Sequence, residues 1–355
     1  MIRQLQIDQT VTGQRLDLFL ASHLLFDKSS ETNLSRAEIQ KLISRGQVTL
    51  NGTVTKPSAR LKLHDRVDVQ VLPPRPTSLK AEPIPLDILY EDSDCLVVNK
   101  AAGIVVHPAA GRTGGTLVNA LLHHCPVIFG VGDDLRPGIV HRLDKDTSGV
   151  MIVAKNQRVL RQLAGQFKAR TVHKEYLALV RGKIAAEKGI IDRPIGRHRS
   201  DRKRMSSLYP LSQKRQAITE WQVEERFAFP DAANSLRWFT LLRLTPRTGR
   251  THQLRVHLMD LGFPLVGDPV YGKRRQLAAT VVDSEVGIAR FPRQALHAEK
   301  LAVDHTSTGK RLVFTAPLPE DFASLLEKLR QRSLVSLDVR THDRQIGLDK
   351  KKGLK

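Results

Sequence analysis

The chain has 355 residues, with 57 Lys and Arg against 36 Asp and Glu, a net charge of +21. At about 150 residues per domain this length holds two or three domains, and a charge of that sign and size points to a polyanionic partner rather than to a fold. With 41% apolar and 26% charged residues the composition excludes general disorder, no apolar run approaches the ~20 residues of a membrane span, and Met1-Ile2-Arg3-Gln4 lacks a secretory signature. A cytoplasmic protein without membrane association is therefore expected. Its two cysteines, Cys95 and Cys125, are too few for a disulfide framework and have no zinc-ligand spacing, so they read as buried thiols.

In chain order, Leu16, Phe19, Leu20 and Leu24 recur at helical spacing. Ser35-Arg36-Ala37-Glu38 forms a capping box for a second helix through Ile39, Leu42 and Ile43, which Arg45-Gly46 ends. Val48-Thr49-Leu50, the turn pair Asn51-Gly52 and Val54-Thr55 predict a hairpin, and Val67 to Val71 alternates like a further strand. Arg15, Arg36, Lys41, Arg45, Lys56, Arg60, Lys62 and Arg66 avoid the apolar stripe and are candidates to face phosphates. Residues 73–85 carry five prolines, Pro73, Pro74, Pro76, Pro83 and Pro85, and so read as a stiff, extended linker poorly able to bury anything.

Beyond it, Leu86 to Tyr90 and Cys95 to Asn99 predict a hairpin around Glu91-Asp92-Ser93-Asp94. Val150 to Ala154, Glu175 to Val180 and Phe239 to Leu244 predict further strands, and Thr116 to His123, Gln157 to Lys168 and Phe322 to Leu329 predict helices. Without steady βαβ alternation this is an α+β domain with a mixed, largely antiparallel β-sheet, preceded by a small α+β domain. The expected organisation is a small domain over residues 1–72, a linker over 73–85, a large domain over 86–330 and a basic, frayed tail over 331–355.

Three runs carry candidate chemistry. In Gly138 to Gly149 a strand-like segment leads into a loop where Asp144 is flanked by Arg142 and Lys145. Such flanking keeps a carboxylate ionised, as a nucleophile or base requires, although Asp144 or Asp146 in a turn can equally serve by capping loop amides. In Arg247 to His257, Arg250 and Arg255 are suited to hold phosphates or to pair with a buried carboxylate. In His173-Lys174-Glu175-Tyr176-Leu177 one tyrosine stands beside basic residues, a pattern that by itself is more often core. No His-Glu-x-x-His or comparable ligand spacing, no phosphate loop and no Gly-x-Gly-x-x-Gly after a strand is found, so neither metal nor cofactor is expected.

The first module resembles the αL-type RNA-binding domain shared by a small-subunit ribosomal protein and several rRNA-modifying enzymes, through Arg15-Leu16-Asp17, the Ser35 helix and Gly46 to Gly52, with a longer stretch, Leu25 to Asn33, between its helices. The whole chain to about residue 330 resembles the RluA-type RNA pseudouridine synthases, most closely the subtype acting on large-subunit rRNA. His141-Arg142-Leu143-Asp144 with Thr147-Ser148-Gly149 carries the likeness. Gly103 to Pro108, Lys174-Glu175-Tyr176, Arg247 to His257, Gly267 to Gly272 and Ala295 to Ala298 support it. One departure is Lys100-Ala101-Ala102-Gly103, where the family has proline after the lysine.

The resemblance implies that Asp144 is the catalytic aspartate, that Arg255 pairs with and orients it, that Tyr176 packs on the target base, and that Arg142 fills the space left by a flipped nucleotide. His141 and Arg250 would join Arg142 in binding substrate. The implied partner is RNA, as large-subunit rRNA or its assembling subunit, and the implied enzyme is a monomer. Two other classes fit the basic charge: a non-catalytic ribosome-assembly factor, which would not need Asp144 beside Arg142, and an RNA nuclease, which would need paired carboxylates or a paired acid and base.

Overall fold

The computed structural model describes residues 2–23, 36–70, 79–108, 114–201, 204–208, 214–230, 236–272, 287–334 and 336–338. They fall into two compact units, Met1–Ser78 and Leu79–Lys355.

The first unit contains β1 (Ile2–Gln6), α1 (Leu16–His23), α2 (Arg36–Ser44), β2 (Val48–Leu50), β3 (Thr53–Val54) and β4 (Arg66–Gln70), with the strands ordered β1-β4-β2-β3. Asn51 and Gly52 both take positive φ, 52° and 78°, as a two-residue hairpin turn demands. Leu16, Phe19, Leu20, Ile39, Ile43, Val48, Val67 and Val69 form the core. Strand β1 has no counterpart in the sequence reading. Ser35 and the 25–33 stretch lie outside the described residues.

Two of the eight basic residues expected to face phosphates bond a buried carboxylate, although their side chains stay 35% and 50% exposed. Arg15 and Arg36 both hold the fully buried Asp17, with Arg15 Nε 3.0 Å from Oδ1 and Arg36 Nη2 2.9 Å from Oδ2, while Gln40 Nε2 donates to Oδ2 at 2.7 Å. Lys41, Arg45, Lys56, Arg60, Lys62 and Arg66 are exposed.

The second unit is built on ten strands. They are β5 (Ile88–Glu91), β6 (Cys95–Lys100), β9 (Ser148–Ala154), β10 (His173–Arg181), β11 (Lys188–Asp192), β14 (Ile218–Pro230), β15 (Leu236–Pro246), β16 (Leu296–Asp304), β17 (Arg311–Thr315) and β18 (Ser336–Asp338). The order is β11-β14-β15-β10-β16-β9-β6-β5, with β17 on β16 and β18 on β14. The β9–β16 pair is parallel and the other described pairs are antiparallel, the mixed sheet that the lack of βαβ alternation implies. Outside this sheet lie two short hairpins, β7 (Gly132–Asp133) with β8 (Arg136–Pro137) and β12 (Gly196–Arg197) with β13 (Met205–Ser206).

Helices α3 (Leu117–His124), α4 (Gln157–Ala169), α5 (Gln253–Asp260) and α6 (Glu320–Arg332) cover the sheet. Every residue of β9 is buried, because its two faces both meet helices. Met151 and Val153 pack with Leu117 and Leu121 of α3, whereas Val150 and Ile152 pack with Val159 and Leu163 of α4. Strand β10 repeats the division, with Leu177 and Leu179 toward Phe322 and Leu326 of α6 and Ala178 and Val180 toward Leu254 and Leu258 of α5. Each of the larger side chains contributes ~1.5–3 kcal/mol on burial, so both strands that flank β16 are firmly seated.

Two expectations need correction. The described part of the proline-rich stretch is not a spacer poorly able to bury anything: Leu79 sits in the core with Val106 and Leu117, Asn119 Nδ2 donates to the Lys80 carbonyl at 2.7 Å, and the Glu82 carboxylate accepts the Gly115 N–H at 3.0 Å. Proline supplies rigidity, but the residues between the prolines are free to dock. Nor does structure stop at residue 330, since α6 runs to Arg332 and Ser336–Asp338 adds a strand to β14; a backbone ladder needs no apolar periodicity to announce it. Residues 339–355 lie outside the described set.

Candidate active site

Asp144 lies in the turn that enters β9, and buried cations hold that turn through its carbonyls. Lys100 Nζ, 1% exposed, donates to the carbonyls of Ala101, Ile104 and Lys145 at 2.7, 3.0 and 2.9 Å. Burial pulls its pKa down to about 7 despite nearby Asp146 and Asp144. Arg293 Nη1 donates to the Asp146 carbonyl at 3.2 Å, and Gln294 Nε2 to Thr147 Oγ1 at 3.1 Å. Gly149 follows with φ 120°, and a Cβ there would run into the Ala298 backbone across the parallel pair. A side chain at that position would push the turn off the sheet.

The Asp144 carboxylate is 19% exposed. Its Oδ2 accepts Arg255 Nη1–H at 2.9 Å, and among the described residues no loop amide donates to it, so the turn-capping alternative does not hold. Arg255 reaches across from α5 with its guanidinium doubly fixed: Nε and Nη2 donate to Oδ2 and Oδ1 of buried Asp268 at 2.7 and 3.0 Å. Burial opposes the charge on Arg255, but Asp268 and Asp144 outweigh it and push its pKa above the ordinary value. Asp268 is itself anchored by the N–H groups of Val270 and Tyr271, each 2.9 Å from Oδ1. The other oxygen of Asp144, Oδ1, faces a cavity, with His252 Nε2 at 3.9 Å.

That cavity, about 810 Å³, is lined by Asp144, Arg255, Tyr176, Arg142, His107 and His252 among others. Tyr176 comes from β10, where the register with β16 shifts between Glu175 and Tyr176; burial and then Asp144 raise its pKa, so it stays a neutral phenol. Arg142 is exposed, with Nη1 3.5 Å from His107 Nε2. Burial, then Arg142, pulls His107 down to about 4, leaving a neutral ring beside the arginine.

Arg250 sits on a turn shaped by buried Gln253. The Gln253 oxygen accepts Thr248 Oγ1–H at 2.7 Å and the Arg250 N–H at 3.0 Å, while its Nε2 donates to the Ile218 carbonyl at 2.9 Å. Arg250 Nε and Arg170 Nη2 both donate to Gln216, at 3.0 and 3.2 Å. Burial, then Arg215 and Arg170, lowers the Arg250 pKa.

His141 is in the cavity wall, but its contacts are structural. Its Nε2 accepts the Ile152 N–H at 3.1 Å and its ring stacks on Phe167 at 4.8 Å, and burial holds its pKa at about 3. These partners fix the His141 ring in the wall of the cavity. The trio of ligand-type side chains Asp92, Cys95 and His305 does not line this cavity.

An aspartate with one oxygen on a doubly anchored arginine and the other open to a basic cavity is the setting in which the comparisons with known proteins fall. Residues 94–260 match the model described as RNA pseudouridylate synthase, and residues 14–67 match the S4 domain. An uncharacterized RNA pseudouridine synthase of Bacillus subtilis is 43% identical over 92% of this chain and 99% of its own. The chain belongs to the RNA pseudouridine synthase family. A ribosomal large subunit pseudouridine synthase D of Pseudomonas aeruginosa is 42% identical, over 93% of this chain and 96% of that one. Among solved structures, human RNA pseudouridylate synthase domain containing 1 superposes with a TM-score of 0.52 at 29% identity, covering 70% of this chain and 96% of the other.

As an RNA pseudouridine synthase the protein is an isomerase, which sets aside the nuclease and the non-catalytic assembly factor. In the described residues no helix is long and apolar enough to cross a membrane. The sequence reading named Asp144 and Arg255, which the fold brings together, but assigned nothing to Asp268, His252, Tyr271, His107 or Lys100. Apart from Lys100, each of these lies inside a run that carries the family likeness, and residue type alone carried no further signal.

Proposed function

We propose that this synthase converts specific uridines of large-subunit rRNA, free or in an assembling subunit, to pseudouridine, acting as a monomer with Asp144 as the catalytic carboxylate and without metal or cofactor. The observation that carries the reading is the half-satisfied Asp144: Arg255 supplies its counter-charge on Oδ2, and Oδ1 is left facing the cavity. Isomerisation cleaves the bond from ribose to a ring nitrogen, turns the uracil and rejoins it through a ring carbon. Asp144 serves by attacking the sugar carbon or by removing a sugar proton; either task uses the open oxygen.

A uridine inside a helix must first be extruded, at a cost of a few kcal/mol. Arg142 on the rim fills the vacated space and Tyr176 stacks on the base. The RNA backbone is met by cavity-lining cations that lack carboxylate partners: Arg142, Arg170 and Arg250 have none among the described residues. Other arginines of the unit are neutralised, Arg136 and Arg247 on the cavity wall by Asp133 and Glu220 and, away from it, Arg243 by Glu175 and Glu224 at 2.8 and 2.9 Å and Arg293 by Asp321 at 2.7 Å. Unneutralised arginines around one cavity are the electrostatic footprint of a polyanion site. The S4 match over residues 14–67 and the exposed Lys41, Arg45, Lys56, Arg60 and Lys62 support a second RNA contact in the first unit. The relative named for the large ribosomal subunit supports the choice of RNA.

The test is to incubate the purified protein with large- and small-subunit rRNA transcripts and map pseudouridine. Conversion at discrete large-subunit positions, absent with Asp144→Asn, is expected. Conversion confined to another RNA overturns the substrate, and conversion by Asp144→Asn overturns the catalytic residue.

A further inference from the structure

Tyr271 is a buried residue that the reaction as described does not use. It is 2% exposed, yet four groups of the site converge on it. The Arg255 guanidinium, which holds Asp144, lies 5.1 Å from the centre of its ring, and that of Arg204, at the base of the β12–β13 hairpin, lies 5.5 Å away. Its oxygen accepts the Met205 N–H of β13 at 2.9 Å. The same oxygen is 2.9 Å from Nδ1 of His252, whose ring stands edge-on at 5.7 Å. His252 adopts left-handed backbone, φ 54°, a conformation that costs a non-glycine residue about 1 kcal/mol or more and is retained where a site requires it.

The Met205 amide can only donate, so the Tyr271 oxygen is the acceptor there, and its phenol proton is available to a bare His252 Nδ1, the tautomer we take. Burial raises the Tyr271 pKa to about 12 and lowers that of His252, so a neutral phenol meets a neutral imidazole. The imidazole proton then sits on Nε2, 3.9 Å from the open oxygen of Asp144, and catalytic contacts of this length tighten when substrate closes the site.

We propose that Tyr271 and His252 are positioning residues that aim an Nε2–H at the free oxygen of Asp144 and tether it, through Met205, to the β12–β13 hairpin. This rests on the reading of Asp144 as the catalytic carboxylate. The hairpin carries Arg197, Arg199 and Arg204, so RNA drawn against those cations also loads Met205, whose N–H Tyr271 holds.

The experiment has a readout on the unmodified protein and one on variants. In ¹⁵N-histidine spectra of the full chain, His252 is expected to carry its proton on Nε2 with Nδ1 bare, and a proton on Nδ1 overturns the proposal. In single-turnover assays with saturating RNA, Tyr271→Phe and His252→Ala are each expected to lose about tenfold in rate, ~1.4 kcal/mol, with RNA affinity within about twofold. The double variant is expected to be no slower than either single one, since both break one chain of contacts, and His252→Gln, which restores a side-chain N–H, recovers part of the loss. A hundredfold loss in the double variant, or losses that fall in affinity, overturn the proposal. A wild-type protein that converts no uridine in any rRNA overturns the function instead, before any variant is compared.

Discussion

Asp17 in the first unit and Asp144 in the second are both aspartates held by arginine, and the proposed function gives them opposite uses. Asp17 is fully buried, its two oxygens taken by Arg15, Arg36 and Gln40. Hydrogen bonds from Arg15, set against burial and helped by Gln40 and Arg36, hold its carboxyl well below the usual carboxylate range. Asp144 is 19% exposed, with one oxygen on Arg255 and the other toward a cavity. A carboxylate whose acceptor sites are all filled stabilises a fold; one left half filled beside a cavity has a lone pair available for substrate. Partner count and access separate structure from chemistry here, because the residue types are the same.

The comparison can be broken at several points, taken from the largest expected effect on the chemical rate to the smallest. Arg255→Ala removes the counter-charge of Asp144 and strands buried Asp268. It should cut single-turnover conversion at least a hundredfold and destabilise the second unit by ~3–5 kcal/mol, checked by quench kinetics and thermal melting; near-normal turnover would mean that another cation serves Asp144. Arg255→Lys should fall between, since one ammonium cannot fork to two carboxylates. Tyr176→Ala should lose what base stacking contributes, ~1–3 kcal/mol, whereas Tyr176→Phe keeps the ring and should lose less; equal rates in all three proteins would place Tyr176 outside the site.

Deleting residues 1–78, before the buried Leu79, should leave conversion of a short saturating RNA largely intact. Affinity for rRNA should weaken, and the log–log salt slope should fall by about one for each phosphate that the first unit neutralises; an unchanged slope would deny that unit a phosphate-binding role. Asp17→Asn should leave the conversion rate alone and cost the first unit ~3 kcal/mol or more. Because the folded pKa of Asp17 is depressed, its contribution is complete above the unfolded value of about 3.9 and fades as pH falls below it. Acid melts should therefore show a steeper loss of the first unit in the wild type than in Asp17→Asn.

How much of this was legible in the sequence follows the range of the interactions. Local pattern located β5, β6, β9, β10, β15, α3, α4 and α6, whose apolar periods are strong, and the Asn51-Gly52 turn. It missed β1 and, in the large sheet, β11, β14, β16, β17 and β18, and it misread Leu79, Lys80 and Glu82 as spacer because their partners, Val106, Asn119 and Gly115, lie far along the chain. The site is the extreme case. Asp144 and Arg255 are 111 positions apart, and only family likeness joined them in advance. Nor did local pattern signal that Arg15 and Arg36 share the buried Asp17, or that a His141 nitrogen accepts the Ile152 N–H.

The most direct measurement of the central claim is a single-turnover comparison of Asp144→Asn, Asp17→Asn and wild type on one large-subunit rRNA fragment at saturating protein. The account predicts no pseudouridine from Asp144→Asn with RNA affinity kept within a few fold, and wild-type conversion from Asp17→Asn at a temperature where its first unit is folded. Appreciable conversion by Asp144→Asn, or equal loss in the two variants, would contradict it.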